Sequence, residues 1–63
     1  MNIYEKLKDY IENIEQLGAD ARYENNNENY ELLRTKLESI KYWSEKAIKV
    51  IDKNEELKQN ERK

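Results

Sequence analysis

From Tyr30 to Asn54 the chain places Tyr30, Leu33, Leu37, Ile40, Ser44, Ala47, Ile51 and Asn54 at alternating steps of three and four residues. That spacing follows one face of an α-helix, and its persistence marks a heptad seam that packs against another helix. Trp43, Val50 and Leu57 flank the seam in its later part. There is no proline to interrupt the helix. The pattern predicts a long helix over residues 28–58, roughly 45 Å at 1.5 Å per residue.

The N-terminal segment carries a second helical signal. Ile3, Tyr4, Leu7, Tyr10, Ile11, Ile14 and Leu17 fall within one arc of about 140° when successive residues are turned by 100°. Every charged residue from Glu5 to Glu15 falls outside that arc. Asn2 followed by Glu5 has the form of a capping pair at the positive end of a helix dipole. Gly18, the single glycine, follows the last large apolar residue at a natural C-terminal position. The spacing predicts a short helix over residues 2–21. Asn25, Asn26 and Asn27 compete for local backbone groups, so they mark a turn and supply a cap for the second helix. Tyr23, out of phase, is expected to pack over that turn.

The expected fold is therefore all-α: a two-helix antiparallel hairpin over residues 1–58, followed by a frayed polar tail at 59–63. A helix of residues 2–21 covers little more than half of one spanning 28–58. Chains of this size without disulfide or metal usually need self-association to bury enough apolar surface. A homodimer is expected, as a helical bundle or coiled coil, through Leu33, Leu37, Ile40, Trp43, Ala47, Val50, Ile51 and Leu57. Charge supports cross-pairing of the helices. Residues 1–32 carry a net −5 and residues 33–63 a net +3, which favours setting the first helix beside the second.

Several chemistries are excluded by composition. Without cysteine or histidine, disulfides are impossible and zinc or haem loses its usual ligands. Thr35, Ser39, Ser44 and the tyrosines have no neighbouring base in a recognisable arrangement. No catalytic residue, metal site or cofactor is expected. Asp20 and Glu31 have the spacing of the ends of a calcium loop, yet Arg22 and Asn25 occupy places that require a ligand and a glycine. The polar face of the first helix is mainly acidic, which disfavours anionic membranes. A cytoplasmic setting is expected, and the abundance of Asn, Lys, Ile and Tyr suits a small phage or plasmid accessory protein.

What remains is binding. A non-enzymatic protein-interaction module is expected, a regulator or inhibitor that meets an unidentified protein as a homo-oligomer. Tyr42, Trp43 and Ile48 are the anchor candidates, because large aromatics often dominate binding energy. The alternative is a dimeric regulator of RNA or DNA using Tyr42, Lys46, Lys49 and Lys53, a stripe suited to phosphates and base stacking. A second alternative is a structural assembly subunit.

Overall fold

The computed structural model describes the backbone of residues 2–61 and the side chains of residues 2–55. Helix α1 spans Ile3–Asn26 and helix α2 spans Tyr30–Glu61, and the two pack against each other as a hairpin. They are about 36 and 48 Å long at 1.5 Å per residue. The molecule measures 54 × 17 × 12 Å. A helix with its side chains is about 10–12 Å across, so the hairpin is a single layer. Residues 62 and 63 of the expected tail, and the Leu57 side chain, lie outside what is described.

Helix α1 starts where the capping pair places it. Asn2 is extended (φ −71, ψ 131) and its Oδ1 accepts the Tyr4 amide at 2.8 Å. Glu5 lies in the first turn, at the positive end of the dipole.

The end of α1 differs from the expected residue 21. Gly18 has no positive φ, and the helix continues through it to Asn26. A helical glycine costs about 1 kcal/mol relative to alanine. The apolar stripe offsets that cost by running on: Leu17 is half-buried, and Ala21 is the one buried apolar residue among the described side chains. The turn shifts accordingly. Asn25 and Asn26 are helical, and Asn27 closes α1, its backbone and side-chain amides donating to the Tyr23 carbonyl at 3.1 and 2.9 Å. Glu28 then adopts the left-handed region (φ 57). Asn29, rather than one of the three consecutive asparagines, caps α2: its Oδ1 accepts the Leu32 amide at 3.4 Å and its carbonyl the Leu33 amide at 2.9 Å. Tyr23 does not pack over the turn; it is exposed.

Two cross-helix contacts set the register. The Tyr10 and Trp43 rings lie 5.6 Å apart between centroids, inclined at 40°. Nearer the turn, Lys36 Nζ lies 3.7 Å from Asp20 Oδ2. Along α1 the half-buried row is Ile3, Leu7, Tyr10, Ile14, Leu17 and then Ala21. Opposite it, α2 contributes Leu33, Lys36, Ile40, Trp43, Ala47 and Val50. The hairpin seam thus uses Leu33, Ile40 and Ala47 of the predicted heptad row, together with Lys36, Trp43 and Val50. Trp43, Ala47 and Val50 are not left uncovered. Residues expected in a loop are helical, and the lengthened α1 lies against all three.

Candidate functional site

Stepping by sevens from the seam separates the two sides of the hairpin. One side carries Tyr4, Ile11 and Gly18 of α1 and Tyr30, Leu37, Ser44 and Ile51 of α2, each one residue beyond a seam position. In an antiparallel pair such positions share a side. From the Tyr10–Trp43 and Asp20–Lys36 contacts, Tyr4 lies level with Ile51, Ile11 with Ser44, Gly18 with Leu37, and Asn25 with Tyr30.

This side is apolar and open to solvent. Tyr4 is 69% exposed, Tyr30 62%, Ile11 52%, Leu37 51% and Ile51 41%. Scattered exposed apolar residues need no explanation, but several on one side of a thin layer point to an interaction surface. A shallow groove runs along its α1 edge, lined by Tyr4, Leu7, Lys8, Ile11, Glu12 and Glu15. Ile48, exposed as expected, borders the same side from α2.

The opposite side is polar. It carries Lys6, Asn13 and Asp20 of α1 and Ser39, Lys46 and Lys53 of α2, with Leu32 and, farther from the seam, Tyr23 and Tyr42 as exposed large side chains. Both sides belong to one thin layer, so the contrast between them is not the ordinary contrast of core and surface.

The candidate anchors separate. Trp43 is half-buried in the seam, against Tyr10. Tyr42 is exposed and meets Trp43 edge-on, with centroids 5.4 Å apart at 79°. Lys46 lies over both rings, its ammonium 5.1 Å from the Tyr42 centroid and 5.7 Å from that of Trp43. Its pKa is raised above the ordinary lysine value, chiefly by the neighbouring Tyr42 side chain. Tyr42, Trp43 and Ile48 therefore do not form one patch: Tyr42 lies toward the polar side, Trp43 in the seam and Ile48 toward the apolar side.

Of the expected oligomer row, Leu33, Ile40, Trp43, Ala47 and Val50 are half-buried in the hairpin, whereas Leu37 and Ile51 are exposed. The expected row thus combines residues of the intrachain seam with residues of the row beside it. It also leaves out Ile11 and Tyr4 as parts of an outer surface. Their offset of one position from the true seam was the available signal.

The lysine stripe is exposed throughout, at Lys46, Lys49 and Lys53. The register also brings Lys6 level with Lys49, a neighbour that comes from the other helix. Two of the hydroxyl groups are committed to the backbone: Thr35 Oγ1 donates to the Glu31 carbonyl at 3.3 Å and Ser39 Oγ to the Thr35 carbonyl at 3.1 Å. Asp20, Arg22 and Glu24 are helical, so the spacing of Asp20 and Glu31 does not form a calcium loop. Among the described residues no cluster of carboxylates is placed to hold a metal, and no helix is long and apolar enough to cross a membrane.

Gly18 has no intrachain reason to be glycine. Its φ is not positive, and a Cβ built on it would meet nothing within 4 Å. No protein-family model, curated protein or solved structure matches this chain.

Proposed function

We propose that this chain is a non-enzymatic protein-interaction module that works by docking its apolar side onto helices of another polypeptide. The supporting observation is the row Tyr4, Ile11, Tyr30, Leu37 and Ile51, left in water by a hairpin one helix thick. Domains normally bury such faces between two packed layers. A single layer supplies half of that arrangement. Helix-in-groove recognition reads large side chains at helical spacing, which is what this side presents.

The test is a photo-crosslinking residue placed at Leu37 on the apolar side and, separately, at Asn13 on the polar side, in the native cell. The reading expects protein adducts from position 37 and few from position 13. Nucleic-acid adducts from the lysine side, with none to protein from position 37, would replace it.

That second outcome corresponds to a reading in which Tyr42, Lys46, Lys49 and Lys53 track phosphates. What favours it is the arrival of Lys6 beside the stripe, which concentrates positive charge at the open end of the hairpin. Against it, Asp9 lies at the level of Lys46, and the Lys46 ammonium is already engaged by two aromatic rings.

A further inference from the structure

We infer that the polypeptide covering the apolar side is a second copy of this chain, related by a two-fold axis parallel to the helices, so that α1 of each copy lies on α2 of the other. This deepens the proposed function and rests on its reading of the apolar side as a docking surface.

Area is the first support. The chain exposes 5560 Å², whereas a compact monomer of its mass exposes about 4,300 Å². An excess of about 1,200 Å² per chain sets about 2,400 Å² as the most that pairing could remove, within the size class of permanent homodimer interfaces, ~2,000 Å² and upward. The end of α2 beyond α1 contributes part of this excess, and the apolar side contributes with it.

Shape is the second. With the axis parallel to the helices, rows at one level meet: Ile11 faces the partner's Ser44, and Leu37 faces the partner's Gly18. Each large side chain of the two central rows is met by a small one. Gly18, unexplained within the hairpin, becomes the position at which a neighbouring Leu37 needs room. The groove at Leu7 and Ile11 lies at the level of the partner's Ile48, an exposed apolar side chain that suits it.

Charge chooses between axes. A two-fold axis perpendicular to the helices, in the plane of the interface, also sets large on small, with Ile11 on Gly18 and Leu37 on Ser44. That axis, however, lays the acidic half on the acidic half and brings Glu15 beside Glu15 and Lys41 beside Lys41. The parallel axis instead sets Glu15 beside the partner's Lys41, twice per dimer. It also brings Arg22 toward the partner's Arg34, whose Nε keeps its own Glu38 at 3.7 Å. Within one chain Glu15 and Lys41 lie on the outer flanks of different helices, so any coupling between them reports the assembly.

The experiment is sedimentation equilibrium of the full chain, with helicity followed by circular dichroism. Twice the 7.7 kDa chain mass is expected, as is the loss of that species in Leu37→Asp with helicity retained in concentrated solution. Glu15→Lys and Lys41→Glu should each weaken dimerisation about three- to tenfold, the range for a screened ion pair repeated by symmetry. The double reversal should restore it. A wild-type chain that stays monomeric at millimolar concentration overturns the inference, and so does a double reversal weaker than either single change. If the chain is monomeric but position 37 crosslinks to a different protein, the second copy is excluded while the proposed function stands. If position 37 crosslinks to no protein at all, both fall.

Discussion

Tyr10 of α1 and Trp43 of α2 stack across the hairpin with ring centroids 5.6 Å apart, at the level where α1 has no other aromatic to offer. Around them the seam is made mostly of smaller aliphatic side chains that are half-buried, so this pair brings together the largest side chains of the two facing rows.

Trp43→Ala is therefore expected to lower unfolding free energy by about 2 kcal/mol, less than the about 3–5 kcal/mol lost at fully buried aromatic sites. Tyr10→Ala should cost less, and the double variant should reveal a coupling of about 0.5–1.5 kcal/mol between the rings. Urea unfolding followed by far-ultraviolet circular dichroism checks this, at one fixed chain concentration because association shifts apparent stability. Strictly additive losses would mean that the rings are neighbours without being partners.

Helix type, helix number and the starting cap of α1 are legible from residues 2–17 and 30–54, because helical periodicity and an asparagine cap act over a few residues. Two features are not. The end of α1 depends on whether Gly18 stops the helix or is carried through it, and Ala21, buried only once α2 is in place, decides that. The facing row of α2 is equally a tertiary matter. Leu33, Ile40 and Ala47 belong to two overlapping heptad stripes, one shared with Leu37 and Ile51, the other with Trp43 and Val50. Sequence periodicity supports either, and the stripe bearing the largest side chain, Trp43, is the one that faces α1. The candidate surface was hidden for the same reason: its residues read as core until the core is assigned to the adjacent row.

The Lys46 ammonium over Tyr42 and Trp43 gives a prediction in alkaline solution. Its folded pKa lies above the ordinary value of 10.5, first through the Tyr42 hydroxyl. A group raised on folding contributes stability that is fully present below its unfolded pKa and lost as pH climbs through the folded one. The contribution thus disappears above pH 10.5, not at neutral pH. In a carbon-13 titration of the lysine ε-carbons, the Lys46 midpoint should lie above that of free lysine. Tyr42→Phe should lower it, and an unchanged midpoint in that variant would remove the hydroxyl as the cause.

Glu28 holds φ 57 between the two helices, a left-handed conformation that costs a side-chain-bearing residue about 1–2 kcal/mol. Glycine relieves that strain but gives the unfolded chain more freedom. Glu28→Gly should on balance stabilise the hairpin by about 0.5–1 kcal/mol. Asn29→Ala should do the reverse, losing about 1 kcal/mol with the cap on Leu32. For a chain of this size about 1 kcal/mol moves the melting temperature by roughly 4–8 °C, so thermal melts resolve both signs. A lower melting temperature in Glu28→Gly would mean that the turn carries no relievable strain.

Gly18 offers a prediction whose size depends on concentration. In the lone hairpin it is an exposed helical residue with free space around its missing Cβ, so Gly18→Ala should stabilise by about 1 kcal/mol through helix propensity alone. In the proposed dimer that space would receive the partner's Leu37, and the added methyl group would oppose the approach that the glycine permits. The gain should therefore be largest in dilute solution and shrink as the chain associates. Gly18→Leu carries the effect further: its helix propensity also exceeds that of glycine, yet its side chain fills the socket. Melting temperatures measured over a wide range of chain concentrations separate these effects. The wild type should melt higher as concentration rises, Gly18→Ala should show a flatter dependence, and Gly18→Leu almost none. Equal stabilisation by alanine at every concentration would place no second chain at Gly18.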